Sequence, residues 1–503
     1  MEKRLTIRFT SDMHGHVFPT NYRDRVLRPM GALGLIGLPK GRNTLVIDGG
    51  DTLQGSPLTY FCHRQGEKSP MAEVLNAMRV DYVTIGNHDL NYGYANLASY
   101  LEDLNAHCLS CNIQGTDGRL RVAPWAVHEL ENGWRIGLVG AATDWIRRWE
   151  RPENLRNVRV EDTLESVKRA YKEVKAKSDF TVLIYHGGIE RDLQTGEILS
   201  DSGENIACRI CEEAPFDLLL TGHQHIPLSG ARWKQTHLVQ APANATGYVE
   251  IEWLEDGSIH SRICPVEPCM DAPANVEAIG RRVEQWLDSP VCRFDAPLWP
   301  QEKLDMALHG TPIANLINQV QLEASGADIS STSLANDVRG FDREATVRDV
   351  VATYVFPNTL AILRVTGAQL KMALERSAAY FHPLSDGRLE IAEDFLRPKI
   401  AHYNYDFFYG LEYVFDLDRP VGDRVVRMER NAKPIDVREE FKLCVNNYRA
   451  TGVGGYAVLA QCERVGEIQM EISEILLNYL IEHRSVSVPR VANYRVQRGG
   501  IVL

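Results

Sequence analysis

No run of this chain is apolar for long enough to span a bilayer, and nothing near its start has the hydrophobic core of a secretory leader. Met1-Glu2-Lys3-Arg4 leads straight into the alternating, strand-like Leu5–Phe9, so the expectation is a cytoplasmic protein with no membrane partner. Long basic tracts are missing as well, and the formal net charge of −12 argues against coating a nucleic-acid polymer. A small anionic substrate stays compatible with that charge, because a bound cation overrides the overall field locally. Internal repeats and low-complexity segments are absent. Ten cysteines among 503 residues make no disulfide framework for a chain of this size and read as reduced thiols. Two pairs, Cys108/Cys111 and Cys208/Cys211, have C-x-x-C spacing. The first sits in a strand-like run that turns its sulfurs to opposite faces and the second in a helical stretch, so buried thiols are favoured over a zinc knuckle.

What the chain does have is the balance of a globular protein, 44% hydrophobic and 24% charged, at a length that requires two or three domains. The first half alternates buried-strand patterns with helical ones, as β-α-β units do. Leu5–Phe9 ends in Thr10-Ser11-Asp12-Met13-His14-Gly15-His16, and Asn43–Ile47 ends in Asp48-Gly49-Gly50-Asp51. Tyr82–Ile85 ends in Gly86-Asn87-His88-Asp89, Phe180–Tyr185 in His186-Gly187-Gly188, and Phe216–Leu220 in Thr221-Gly222-His223-Gln224-His225. Open α/β sheets place ligands beyond the carboxyl ends of their strands, which is where these polar groups fall.

A single buried histidine in a strand-end loop is more often hydrogen-bonded packing than a ligand. Five strand ends carrying Asp12, His14, Asp51, Asn87, His186, His223 and His225 are a different matter, because each buried polar group needs a partner. Carboxylate, imidazole and one amide oxygen together suit borderline divalent metals such as Mn, Zn, Fe or Co. With Asp51 bridging, seven donors fill the shells of two ions, an arrangement that clamps attacking and leaving oxygens in phosphoryl transfer.

The order D-x-H, G-D, G-N-H-D, H-x-G, G-H-x-H resembles the calcineurin-like metallophosphoesterases, and the chain as a whole is similar to the two-domain 5'-nucleotidase family, whose D-G-G-D-x-x-Q-G-S-P signature stands at Asp48–Pro57. The resemblance implies an α/β fold, α+β overall: a four-layer calcineurin-like domain at 1–268, a linker with a helix at 269–295, and a C-terminal 5'-nucleotidase-type α/β substrate domain at 296–503. It implies one metal on Asp12, His14, Asp51 and His225, a second on Asp51, Asn87, His186 and His223, and His88 as the catalytic imidazole facing the phosphate. Water activated by the cations would attack phosphorus in line. The family also implies domain rotation about the linker helix.

One departure bears on specificity. In the 5'-nucleotidase branch an Asp three residues after the catalytic His forms a dyad with it, whereas here that position is Asn91, and Asn91-Tyr92-Gly93 resembles the branch that hydrolyses 2',3'-cyclic nucleotides and 3'-nucleotides. Ala450–Tyr456 lacks the carboxylate of the 5'-nucleotidase branch, and Lys303–Thr311 lacks its arginines. By resemblance the loops Phe356–Thr359 and Asn446–Arg449 supply a base clamp, Phe356 with Tyr448, and Asn358 as a hydrogen-bonder to the base. Tyr403–Phe415 reads equally as an aromatic core strand or as part of the cyclic-nucleotide pattern. The expected activity is metal-dependent hydrolysis of 2',3'-cyclic nucleotides and 3'-nucleotides, a small-molecule substrate. Its rivals are 5'-nucleotidase or nucleotide-sugar diphosphatase chemistry and, behind these, a silent nucleotide-binding protein.

Overall fold

The computed structural model describes residues 3–200, 203–384, 388–397 and 400–503. Met1 and Glu2, which open the stretch expected to carry no leader, lie outside the described residues. The chain divides into two units, Met1–Glu284 and Gln285–Leu503. In the first, two six-stranded sheets carry the architecture. One sheet is built from β1 (Lys3–Thr10), β2 (Thr44–Asp48), β3 (Tyr82–Val83), β4 (His107–Cys108) and the late strands β11 (Gly247–Leu254) and β12 (Ile259–Pro265), in the order β12-β11-β1-β2-β3-β4. The other holds β5 (Trp125–Glu129), β6 (Arg135–Ala142), β7 (Phe180–His186), β8 (Leu218–Thr221), β9 (Leu228–Trp233) and β10 (Thr236–Gln240), in the order β9-β10-β8-β7-β6-β5.

The second sheet is parallel in the middle and antiparallel at both margins, the first antiparallel at one margin only: β1 to β4 run parallel, as do β6, β7, β8 and β10, while β1–β11, β11–β12, β5–β6 and β9–β10 are antiparallel. Strands buried on both faces read as continuous apolar runs, which is why these segments stand out in the sequence. Ile7, Phe9 and Ile47 of the first sheet share one core with Leu138, Ile184 and Leu220 of the second. On its other face the second sheet packs Val139, Leu183 and Leu219 against a helical layer. The paired registers Thr10↔Asp48 and Ala142↔His186 bring neighbouring strands to an end together, so the loops that follow leave from one edge of each sheet.

Connecting helices follow the expected order. They are α1 (Pro57–Gln65), α2 (Met71–Ala77), α3 (Tyr94–Asp103), the single turn α4 (Ile146–Trp149), α5 (Thr163–Lys175) and α6 (Ala207–Glu213). Val167 and Val174 of α5 and Ile210 of α6 fill the layer outside the second sheet. Cys208 and Cys211 are buried on α6, and all ten cysteines are free. Helix α7 (Ala274–Leu287) contains the boundary between the two units. Among the described residues no helix is long and apolar enough to cross a membrane.

The second unit contains a five-stranded sheet of β13 (Ile329–Ser333), β14 (Leu360–Thr366), β15 (Asp406–Tyr409), β16 (Glu440–Asn446) and β17 (Glu463–Ile468), ordered β15-β13-β16-β14-β17. Helix α8 (Pro312–Ser325) starts with Thr311 as its cap and Pro312 in its first turn. Helix α9 (Gly367–Ala378) opens on a reciprocal box between Thr366 and Gln369. The two readings of Tyr403–Phe415 separate here. Tyr405, Phe407, Phe408, Tyr413 and Phe415 are buried core, whereas Tyr403 stays half-buried beside Phe356.

Candidate metal centre

The loops after β1, β2, β3, β7 and β8 meet at one place. Backbone hydrogen bonds join them first: Asp12 N–H donates to the Gly50 carbonyl and His14 N–H to that of Asp51, each at 2.9 Å. Asp89 then ties the β2 and β3 loops together, accepting N–H groups from Asp51, Thr52, Leu53 and Gly86 at 2.7–2.9 Å. Burial and the neighbouring Asp51 push the Asp89 carboxyl up to about 6, against the pull of those donors. The crossing is close enough to require glycine. A Cβ on Gly86 would stand 2.1 Å from Asp51 Oδ1.

Five of the gathered side chains sit on left-handed backbone. Asp12 has φ 55°, His14 47°, Asp51 56°, His223 72° and His225 57°. For residues with a Cβ this conformation costs about 1–2 kcal/mol each, and such residues concentrate at functional sites.

The ring nitrogens are sorted by their outer partners. His14 Nδ1 donates to the Gln54 carbonyl at 2.7 Å, and His186 Nδ1 to the Gly49 carbonyl at 2.7 Å. His223 Nε2 lies 2.9 Å from Glu204 Oε1. Each ring thereby turns its other nitrogen inward as a lone pair. What those nitrogens face is another ring nitrogen, a carboxylate or an amide oxygen. His14 Nε2 is 2.9 Å from His225 Nε2, and His225 Nε2 is 3.4 Å from Asp12 Oδ1. His223 Nδ1 is 2.9 Å from Asn87 Oδ1, and His186 Nε2 is 3.0 Å from Asp51 Oδ2. The last pair lacks hydrogen-bond geometry despite its distance: His186 Nε2, Asp51 Oδ2 and Asp12 Oδ2 are all buried without a hydrogen-bond partner.

Acceptors aimed at acceptors in a buried site call for a cation, so the residues fit a metal. Two groups satisfy the spacing. Asp12, His14 and His225 offer ligand atoms within 4.8 Å of one another, and so do Asp51, His186 and His223. Asn87 joins the second through His223. No cysteine belongs to either group among the described residues.

Without a cation, the carboxylates hold protons on the neighbouring rings in its place. Burial alone would raise both carboxyls, yet the imidazoles of His225 and His186 around Asp12, and of His186, His88 and His14 around Asp51, hold them well below the usual range. Burial would lower His186, but Asp51 beside it pushes that ring up to about 10. Burial and the neighbouring His225 push His14 down to about 3. The carboxylates recruit positive charge wherever it is offered.

His88 stands at the rim of the cluster, its ring centroid 5.3 Å from that of His14. Its backbone N–H donates to Asp51 Oδ1 at 2.7 Å, and its Nδ1 lies 2.7 Å from Asn91 Oδ1. Burial pushes its pKa down. Three contributors escape the sequence reading. Trp149 lies nearly flat on His223, with centroids 5.4 Å apart and planes at 22°. Glu204 buttresses the same ring, and Glu150 sits behind Asn91. Each is a single residue outside any strand-end motif, so only the fold brings it to the site.

In the second unit, Tyr448 lies in the short α10 (Asn447–Ala450) and is 49% exposed. Phe356 is half-buried and packs edge-on against Tyr354 and Tyr403. Asn358, expected to bond a base, is 6% exposed and directs its amide to the Tyr354 hydroxyl at 3.4 Å. The loop of Tyr448 is anchored by the buried Arg449, whose Nε donates to Asp406 Oδ1 at 2.8 Å.

Known proteins share both the sequence pattern and the fold. Residues 5–227 match the calcineurin-like phosphoesterase family model, and residues 296–461 that of the 5'-nucleotidase C-terminal domain. The trifunctional nucleotide phosphoesterase protein YfkN of Bacillus subtilis is 24% identical over 97% of the chain, which spans only 38% of that protein. The 2',3'-cyclic-nucleotide 2'-phosphodiesterase/3'-nucleotidase of Haemophilus influenzae is 23% identical, with 89% of the chain and 80% of that protein covered. A Staphylococcus aureus structure assigned as a 5'-nucleotidase, in complex with α-ketoglutarate, is 32% identical with a TM-score of 0.72, covering 98% of this chain and 99% of that one.

Proposed function

Since the chain belongs to the calcineurin-like phosphoesterases that carry a 5'-nucleotidase C-terminal domain, and is accordingly a metal-dependent hydrolase of nucleotide phosphoesters, we propose that its preferred substrates are 2',3'-cyclic nucleotides and 3'-nucleotides. The observation that carries this reading is the convergence of paired acceptors around Asp12 and Asp51, with His88 backed by Asn91 in place of a carboxylate. Asp12, His14, Asp51 and His225 would hold one divalent ion, and Asp51, Asn87, His186 and His223 another, Mn, Zn, Fe or Co by their donor chemistry. When bound, these ions supply Lewis-acid charge and a nucleophile at neutral pH.

The chain's own residues do the rest. With Nδ1–H donated to Asn91, His88 keeps Nε2 for the phosphate, and as an imidazolium it hands the proton held there to the departing alkoxide or to a phosphoryl oxygen. A neutral amide behind the ring orients it without pinning a second positive charge beside the metal ligands. Phe356 and Tyr448 are the proposed aromatic clamp for the base, with Asn358 holding the Tyr354 hydroxyl behind Phe356.

The test is phosphate release with Mn²⁺ from 2',3'-cyclic AMP, 3'-AMP, 5'-AMP and a nucleotide sugar, measured side by side. The expected order puts the first two well ahead, and fast release from 5'-AMP alone would overturn the branch assignment. His88→Ala should lower kcat by about a hundredfold or more at unchanged metal content, as loss of a general acid does.

A further inference from the structure

His88 is held from behind by an uncharged amide, and an amide can present either of its ends. Which end faces the ring decides which ring nitrogen carries the hydrogen. The structure supplies the group that makes this choice. Asn91 Nδ2 donates to Glu150 Oε2 at 2.7 Å, which leaves Asn91 Oδ1 for His88 Nδ1. Glu150 is buried, 9% exposed, and its other oxygen is saturated by N–H donors, from the Arg151 backbone at 2.7 Å and Asn154 Nδ2 at 2.8 Å. Asn154 also reaches the Asn91 carbonyl at 3.3 Å, so the loop of Asn91 is pinned to the same residue. Glu150 directly follows α4, on the loop leaving the carboxyl end of β6, and the residue before it is the Trp149 that lies on His223.

We propose that Glu150 is a positioning residue for His88: acting through the Asn91 amide, its carboxylate makes Nδ1 of the imidazole the hydrogen-bond donor and keeps Nε2 for the reacting phosphate. The role rests on the nucleotide phosphoesterase reading above and extends it to a residue 62 positions from the histidine it orients. A carboxylate placed beyond the amide does at second hand what a carboxylate touching the ring would do directly. It fixes orientation without bringing a charge into contact with the imidazole.

The arrangement makes a reciprocal prediction. In Glu150→Gln the Oε1 position still serves Arg151 and Asn154, so the new NH₂ faces Asn91. The Asn91 amide then turns its oxygen toward that NH₂ and its own NH₂ toward His88 Nδ1, and the ring hydrogen moves to Nε2. In the double variant Asn91→Asp/Glu150→Gln, the carboxylate at position 91 accepts from both His88 Nδ1 and the NH₂ introduced at position 150, and the original hydrogen direction returns. Asn91→Asp alone sets two carboxylates at hydrogen-bond distance and is the negative control.

Steady-state kinetics on the metal-loaded full chain, with metal content checked, should show Glu150→Gln losing kcat by about tenfold or more, KM unchanged, because a ring whose Nδ1 accepts from the Asn91 NH₂ is held in the neutral Nε2–H form, a far weaker acid than the imidazolium, and so loses transition-state help rather than binding. The double variant should recover most of that loss. Long-range ¹H–¹⁵N spectra of the zinc-loaded protein, with His88→Gln to assign the signal, should show the protonated nitrogen switching from Nδ1 to Nε2 in Glu150→Gln and returning in the double variant. Unchanged kcat in Glu150→Gln, or losses that simply add in the double variant, would overturn the proposal. If the wild-type chain released no phosphate from any nucleotide, the function reading would fail by itself, and the spectra would still decide whether Glu150 sets the ring.

Discussion

At the residue scale, Asp89 organises the site although it touches no candidate ligand atom. Its two oxygens accept four backbone N–H groups that fix the turn carrying Asp51 against the turn carrying Asn87 and His88. Asp89→Asn keeps the volume but turns an NH₂ toward N–H groups that already donate, at about 1–3 kcal/mol for each buried donor left unpaired. The expected outcome is a lower melting temperature together with weaker metal retention, read by calorimetry and by metal content after dialysis. Loss of stability with full retention would show that the two turns do not depend on Asp89 for their alignment. In the sequence Asp89 is visible only as the last letter of G-N-H-D, a motif that gives its position but not the donors it gathers.

At the scale of elements, the strand ends are legible in the sequence because parallel strands buried on both faces are apolar throughout and stop abruptly at polar or glycine residues. That contrast marks the ends of β1, β2, β7 and β8, and so places Asp12, Asp51 and His223 in the loops just beyond their strands and His186 on the last residue of its own. Lengths are less legible. β3 pairs only at Tyr82–Val83, because Thr84 already directs its hydroxyl to the Leu109 carbonyl as the chain turns toward Gly86. Glu150, Glu204 and Trp149 are not legible at all, since no periodicity ties them to partners dozens of residues away. Helix α1 gives one motif letter a physical role. Ser56 Oγ caps Thr59 N–H at 3.3 Å and donates to the Gly15 carbonyl at 2.7 Å, fastening the helix start to the loop of His14. Ser56→Ala should therefore cost about 1 kcal/mol from the cap, and more from the stranded Gly15 carbonyl. Chemical denaturation measures it, and a value below the cap term would mean that the Gly15 bond contributes nothing.

At the scale of the whole molecule, metal and folding are linked. A cation that binds only the folded chain stabilises it by about 2.7 kcal/mol when present at a hundred times its dissociation constant. Heating the full chain with Mn²⁺ and then with a chelator should give a clearly lower transition in the second case, restored on adding the ion back. Coincident transitions would remove the cation from the centre around Asp12 and Asp51. The left-handed backbone at Asp12, His14, Asp51, His223 and His225 sets a further condition on the molecule's future. Those five positions are ones where glycine would sit more comfortably than the residue present. Laboratory evolution for heat tolerance alone would thus be drawn first to the residues the chemistry needs most, and a thermostable lineage of this protein would have to be screened for turnover at every round to keep it an enzyme.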